Sequence, residues 1–61
     1  MPIINVEGPR ISDIEKKRRF AQDLSEVAAR YYDMPVEKII LLIKENEPEN
    51  VAVGGELIAD R

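Results

Sequence analysis

Residues 39–43 are Ile-Ile-Leu-Leu-Ile, a continuous apolar run with no polar residue inside it. A strand with one face in water alternates apolar and polar side chains, whereas a strand covered on both faces, as in a parallel sheet, is apolar throughout. The run therefore predicts a strand of a parallel sheet that is covered on both faces. The residues before and after it indicate what provides that cover.

A shorter strand is predicted near the N-terminus. Residues 3–7 (Ile-Ile-Asn-Val-Glu) are β-prone and partly alternating, and Gly8-Pro9 ends the run. About twenty residues with helical periodicity separate the two strands, so the order of elements is strand, helix, strand. This order is a βαβ unit, and we expect its crossover to be right-handed.

The connecting helix is predicted to run from about Asp13 to about Tyr32. Ser12 and Glu15 have the spacing of a capping box. The helix ends before Pro35, because the residue preceding a proline is pushed out of the α region. Glu-to-Arg pairs four residues apart are expected at Glu15–Arg19 and Glu26–Arg30. The core-facing stripe is predicted to comprise Phe20, Leu24, Val27, Ala28 and Tyr31.

The C-terminal part is predicted to contain only short elements. A polar loop at 45–50 is followed by a short strand at 51–53, a turn at Gly54-Gly55 and a closing segment at 56–59. The predicted fold class is α/β (α+β): a βαβ subunit with a two-stranded parallel sheet, one long helix and a short C-terminal hairpin. Residues 1–61 form a single domain.

The chain is too small to bury a large core by itself. A chain of 61 residues buries only about 60% of its unfolded surface. It has no Cys and no His, which excludes disulfides and the usual transition-metal ligands. One helix covers one face of a two-stranded sheet, so the other face of residues 39–43 requires a second subunit. We therefore expect a homo-oligomer that assembles by sheet pairing.

Charge and composition exclude several classes of partner. The formal net charge is -3 and the pI about 4.8, which argues against nucleic acid and membrane surfaces. The basic run Lys16–Arg19 is interpreted as a solvated helix face. There is no apolar leader and no membrane-length apolar stretch, so we expect a cytoplasmic protein. The sequence contains no Ser-His-Asp set, no metal-ligand cluster and no phosphate-binding glycine loop; no cofactor is expected.

Pro2 directly follows Met1 and is the strongest candidate for chemistry. A small second residue permits removal of Met1, and the mature chain then begins with a secondary amine. A free α-amine has a pKa of about 8, and burial lowers that pKa toward neutrality. Such a group can serve as a general base. The alternative is that Met-Pro is merely a common way to begin a strand.

The whole chain resembles the 4-oxalocrotonate tautomerase family. The resemblance rests on several short motifs in the same order and spacing: Met-Pro-Ile at the start, Asp-Ile-Glu-Lys-Lys at the helix entry, Leu-Ser-Glu-Val within the helix, Asp-Met-Pro before the second strand, and Val-Gly-Gly-Glu-Leu at Val53–Leu57. It implies dimers with a four-stranded sheet, a hexamer built as a trimer of dimers, and active sites near subunit boundaries. It also implies that Pro2, as the mature N-terminus, is a general base acting on enol or dienol acids resembling 2-hydroxymuconate or phenylenolpyruvate.

The substrate-binding positions implied by the resemblance differ in residue type. The family's first arginine falls on Ser12 without a gap, and Arg10 is the nearby candidate to replace it; the alternative is a solvated loop arginine. The second arginine falls on Ile40, and an aromatic falls on Val51. Val51 and Val53 are expected to line an apolar wall that keeps the Pro2 nitrogen neutral.

Two other functions stay open at the level of sequence. One is a structural or interaction oligomer that kept the fold and lost the activity, which the aliphatic Ile40 and Val51 favour. The other is a hydratase or dehalogenase acting on unsaturated acids. Tyr31 and Tyr32 are interpreted as residues of core and interface packing, and Asn46 and Asn50 as turn residues.

Overall fold

The computed structural model describes residues 1–61 and has the predicted βαβ order. Strand β1 (Ile3–Gly8) pairs in parallel with β2 (Ile40–Glu45), in a register that joins Ile3 to Ile40. Helix α1 (Ile14–Tyr32) connects them. Two further strands, β3 (Ala52–Val53) and β4 (Glu56–Leu57), form an antiparallel hairpin. Single 3-10 turns occupy Val36–Lys38, Pro48–Asn50 and Ile58–Asp60. The predicted fold class is confirmed.

The hairpin turn depends on glycine. Gly54 and Gly55 join β3 to β4 and both have positive φ, 61° and 86°. Residues with a Cβ rarely adopt that conformation, whereas glycine adopts it readily. The predicted turn at Gly54-Gly55 is therefore confirmed, and it returns the chain so that Ile58 N–H donates to the Val51 carbonyl at 2.8 Å.

The two faces of the parallel sheet have different environments. The side chains that alternate toward α1 are half-buried: Ile4, Val6, Leu41 and Ile43. Glu45 lies on this face too, because its carboxylate reaches Lys17 of the helix. Side chains of the opposite face have nothing over them, and Ile3 and Leu42 are 57% and 53% exposed. Helix α1 thus covers one face of the sheet and leaves an apolar face open.

The helix begins one residue later than the capping-box prediction. Asp13, not Ser12, is the N-cap, and its carboxylate accepts from the backbone N–H groups of Glu15 and Lys16 at 3.0 and 3.4 Å. A carboxylate at this position also complements the positive end of the helix dipole. At the other end Asp33 adopts the left-handed conformation with φ 53°, and the Met34 N–H donates to the Ala29 carbonyl at 3.1 Å.

The predicted core stripe of α1 is correct for three of its residues and wrong for two. Phe20, Leu24 and Ala28 are half-buried, but Val27 and Tyr31 are 43% and 81% exposed. Since the sheet is only two strands wide, it covers a narrow part of the helix surface. The predicted ion pairs also differ: Glu15 pairs with Arg18 rather than Arg19, and Glu26 accepts from Gln22 rather than from Arg30.

The chain forms one thin layer. Its Cα extents are 43 × 25 × 13 Å and its radius of gyration is 14.7 Å. A compact chain of this length has a radius of about 10.5 Å. The accessible surface is 4970 Å², whereas about 4,000 Å² is expected for a folded monomer of this mass. No residue is fully buried. The structure contains no helix with the length and apolar character that a bilayer crossing requires.

The open sheet face gives a direct prediction about assembly. Leu42→Glu places a carboxylate on that face and is expected to raise the subunit dissociation constant by about a hundredfold or more, because burying an unpaired ion costs several kcal/mol. Analytical ultracentrifugation over a range of subunit concentrations measures this change.

The matched control is Gln22→Glu, which introduces the same charge at an exposed polar site on the helix. It is expected to assemble like the wild type. If Leu42→Glu also assembles like the wild type, the open face is not where subunits meet.

Candidate active site

Pro2 lies at the amino end of the parallel sheet, beside Ile40. The Pro2 carbonyl accepts a hydrogen bond from the Ile40 N–H at 3.0 Å, and Ile3 is the register partner of Ile40. Both neighbours are aliphatic, and Pro2 itself is half-buried. The Met1 side of the Met1–Pro2 bond is open to solvent. Cleavage of that bond turns the Pro2 nitrogen into a secondary amine at the amino end of the sheet.

A pocket of about 390 Å³ lies at the opposite, carboxyl end of the sheet. The carboxyl ends of parallel strands are where open α/β sheets usually bind ligands. Asn46 N–H donates to the Gly8 carbonyl at 2.9 Å, and its side-chain amide donates to Glu7 Oε2 at 3.3 Å. The pocket is lined by Glu7, Gly8, Pro9, Asn46, Pro48, Val51 and Ile58. Asn46, predicted to be a turn residue, is therefore also a pocket residue.

Arg10 follows the pocket residue Pro9 and is exposed. Its guanidinium forms no hydrogen bond or ion pair within the chain, so its charge is free to meet a ligand. No cluster of His, Cys, Asp or Glu is arranged to hold a metal ion. The pocket thus combines an apolar wall, one carboxylate and a nearby unpaired cation.

Glu45 connects the loop that carries Arg10 to the rest of the fold. Its Oε2 accepts from the Ile11 N–H at 2.7 Å and contacts Lys17 Nζ at 2.8 Å. The hydrogen bond from Lys17 holds the pKa of the Glu45 carboxyl below its usual value; the Ile11 N–H and the charge on Arg10 lower it further. The sequence did not indicate this contact, because 34 residues separate Ile11 from Glu45 and no local pattern links them.

One chain does not bring the four predicted site residues together. Pro2 and Ile40 lie at the amino end of the sheet, whereas Val51 lines the pocket at the carboxyl end and Arg10 follows that end of β1. Strand β1 has six residues, and at about 3.3 Å per residue it separates the two ends by about 20 Å. A site that uses all four must combine two or more chains.

The comparisons with known proteins identify the family. The family model described as "Tautomerase enzyme" matches residues 2–61. The chain belongs to the 4-oxalocrotonate tautomerase family of the tautomerase superfamily. The predicted resemblance is therefore confirmed over nearly the whole chain. A search of the curated proteins finds no match.

Solved structures of similar proteins agree with this assignment. The chain is 49% identical to DmpI from Archaeoglobus fulgidus, with a TM-score of 0.84, over 97% of this chain and 100% of that one. It is 30% identical to a 4-oxalocrotonate tautomerase homologue, with a TM-score of 0.88, over 100% and 97% of the two chains. It is also 30% identical to a heterohexamer 4-oxalocrotonate tautomerase from Chloroflexus aurantiacus, with a TM-score of 0.84, over 98% and 97%.

The lowered pKa of Glu45 predicts a pH-dependent contribution to stability. Because the folded pKa lies below the ordinary value of 4.5, the contribution is complete above that value. It is lost as the pH falls through the folded pKa. The wild type is thus expected to exceed Glu45→Gln in free energy of unfolding at about pH 7, and the difference is expected to shrink at about pH 3.

Urea titrations at one fixed subunit concentration measure this difference. Glu49→Gln is the matched control, at an exposed carboxylate without an ion pair, and its difference from the wild type is expected to be small at both pH values. A Glu45→Gln difference that does not change with pH contradicts the prediction.

Proposed function

We propose that the protein is a cofactor-independent tautomerase in which Pro2, after removal of Met1, is the general base. The observation that carries the proposal is the position of Pro2 directly before β1 and beside the aliphatic Ile40, with the Met1–Pro2 bond open to an aminopeptidase. An apolar surrounding disfavours the protonated amine and leaves a neutral base at physiological pH. The full-length family match supports the same assignment.

The reaction is a proton transfer within an enol or dienol acid, of the 2-hydroxymuconate or phenylenolpyruvate type. The Pro2 nitrogen accepts the proton of the enol hydroxyl and returns it to carbon. A C–H bond forms, the C=C bond shifts or is lost, and the hydroxyl carbon becomes a ketone. The Arg10 guanidinium binds the substrate carboxylate through charge-assisted hydrogen bonds. Ile40 and Val51 provide apolar walls around the reacting part of the substrate.

Pairing of two β1 strands about a two-fold axis is the arrangement that best completes this site. The free edge of β1 is unpaired, and a two-fold axis perpendicular to the sheet makes the two β1 strands antiparallel. This axis keeps both helices on one face, and directly opposed residues share a face. Side chains alternate between the two faces along a strand. Two residues that oppose each other must therefore both have even numbers or both have odd numbers.

The hydrogen bonds already made by β1 select one of these registers. The carbonyls of Pro2 and Gly8 point to β2, so the backbone N–H and C=O groups of residues 3, 5 and 7 point to the free edge of β1. The register with Asn5 opposite Asn5 of the partner subunit forms hydrogen bonds with the backbone groups of all three residues. Shifting that register by two residues places one of the outer pairs beyond the ends of the strands. In this register Pro2 lies opposite Gly8 of the partner subunit, at a Cα separation of about 4.5 Å.

This pairing brings each Pro2 to the pocket of the other subunit. Gly8 lines that pocket and Val51 forms part of its wall, while Arg10 follows two residues after Gly8. The base and the carboxylate-binding group then come from different chains. Each dimer contains two equivalent sites, and each dimer still has an uncovered apolar face. We propose that three dimers cover those faces in a homohexamer; the heterohexamer relative from Chloroflexus aurantiacus supports this stoichiometry.

A structural oligomer without activity is the second candidate. The observation that favours it is the aliphatic character of Ile40 and Val51, which leaves Arg10 as the one candidate arginine at the pocket. Retention of Met1 would also favour it, because the Pro2 nitrogen is then an amide without basicity. The intact mass of the purified protein separates the two candidates at this first step.

The first prediction of the proposed function concerns Pro2. The mature protein is expected to lack Met1 by mass spectrometry and to convert phenylenolpyruvate or 2-hydroxymuconate to the ketone, followed by ultraviolet absorbance. Pro2→Ala is expected to lower kcat about a hundredfold or more, because general base catalysis contributes about 10²- to 10⁴-fold. An N-terminally extended chain, in which the nitrogen is an amide, is expected to be inactive.

Ultracentrifugation of Pro2→Ala shows whether assembly is preserved, so that a loss of activity can be assigned to the amine. The proposal is wrong if Pro2→Ala converts either substrate as fast as the wild type.

The second prediction concerns Arg10. Arg10→Ala is expected to lower kcat/KM about 10- to 150-fold, because hydrogen bonds to charged groups contribute about 1.5–3 kcal/mol. Arg19→Ala is the matched control, since Arg19 is an exposed helix arginine without an ion pair. Its kcat/KM is expected to stay within about twofold of the wild type. Equal effects of the two substitutions would mean that Arg10 contributes only general positive charge.

A further inference from the structure

We infer that Glu45 is a positioning residue for Arg10, an inference that rests on the carboxylate-binding role proposed for Arg10. Residues 9–13, between β1 and α1, have no regular secondary structure. From Pro9 to Ser12 a single backbone N–H, that of Ile11, donates a hydrogen bond within the chain. Its acceptor is Glu45 Oε2, at 2.7 Å. This contact is therefore the one hydrogen bond that a backbone N–H in the middle of the loop makes to the rest of the fold.

The contact acts on the peptide unit next to Arg10. The Ile11 N–H belongs to the same planar group as the Arg10 carbonyl, because a peptide bond fixes both in one plane. Holding the Ile11 N–H therefore fixes the orientation of the chain directly after the Arg10 Cα. The guanidinium itself has no partner in the chain, so the loop is held by its backbone while the functional group stays free.

Lys17 keeps the Glu45 carboxylate available for this role. Lys17 Nζ lies 2.8 Å from the same Oε2, and the two side chains are only 28% and 24% exposed. A charged donor strengthens the hydrogen bonds that a carboxylate makes. The only ion pair of the Glu45 carboxylate is the one with Lys17. The Arg10 guanidinium therefore stays unpaired. The end of β2, the loop and the first turns of α1 thus meet at one oxygen atom.

Two substitutions of Glu45 separate its hydrogen bond from its charge. Glu45→Gln keeps an oxygen that accepts from the Ile11 N–H, whereas Glu45→Met has similar length and no such acceptor. Glu49→Met is the matched control at an exposed site. The probe is phenylpyruvate, a keto acid with one carboxylate, and its dissociation constant is measured by titration calorimetry on the assembled protein.

Glu45→Met is expected to weaken phenylpyruvate binding about tenfold, in line with the loss of a well-placed charge-assisted contact. Glu45→Gln is expected to stay within about threefold of the wild type, and Glu49→Met to be unchanged. Hydrogen exchange of the Ile11 amide, followed by NMR, is expected to accelerate about tenfold or more in Glu45→Met and much less in Glu45→Gln.

A double-substitution cycle with Arg10→Ala decides whether Glu45 acts through Arg10. If it does, Glu45→Met has no further effect on binding once Arg10 is removed, so the two effects do not add. Additive effects, unchanged binding in Glu45→Met, or an equal loss in Glu45→Gln would each overturn the inference.

Binding and amide exchange do not require turnover, so these outcomes are separate from the test of the proposed function. If Pro2→Ala remains fully active while the binding cycle is non-additive, the proposed base is wrong and the positioning role stands. If Pro2→Ala is inactive while the cycle is additive, the base stands and the positioning role is wrong.

Discussion

A single helix can cover only one face of a sheet, and the rest of this structure follows from that constraint. Helix α1 shields one side of the β1–β2 pair, leaves Ile3 and Leu42 half-exposed on the other, and produces a layer only 13 Å thick in its shortest Cα extent. The chain has no disulfide and no metal cluster to stabilise such a layer. Burial of the open face by further subunits is the remaining source of apolar stabilisation, at about 25 cal/mol per Å².

The same geometry divides the chemistry of the site between the two ends of the sheet. Pro2 directly precedes β1, and the pocket with Val51 lies where β1 ends, so one folded chain does not bring them together. Antiparallel pairing of two β1 strands joins these ends twice in each dimer, because the pairing is symmetric. Catalysis in this proposal therefore depends on assembly, because one small subunit does not contain a complete site.

The elements of the fold were predictable because their signals are local. The apolar run at 39–43 and the Gly54-Gly55 turn each reflect a rule that acts over a few residues. The errors arose where the local pattern allows two outcomes or where a distant element sets the environment of a side chain. Asp13 rather than Ser12 caps the helix, since either side chain satisfies the local rule, and Tyr31 is exposed because the sheet beneath α1 is only two strands wide.

The site was predictable only in part. Pro2 is identifiable because a proline that becomes the N-terminus carries a free secondary amine. Glu45 was missed because its partners Ile11 and Lys17 are distant in sequence and any carboxylate at the end of a strand looks the same. The relation of Pro2 to Arg10 could not be obtained from one chain's sequence, because it depends on how two chains pair.

The claim that the base and the arginine act from different chains is tested most directly by subunit complementation. Pro2→Ala and Arg10→Ala chains are unfolded, mixed in equal amounts, refolded together and assayed with phenylenolpyruvate. Random pairing gives each site an intact Pro2 and an intact partner Arg10 in one case out of four, so about a quarter of wild-type activity is expected. Activity no higher than the mean of the two separately refolded variants would contradict the account, because it would mean that both residues act from the same chain.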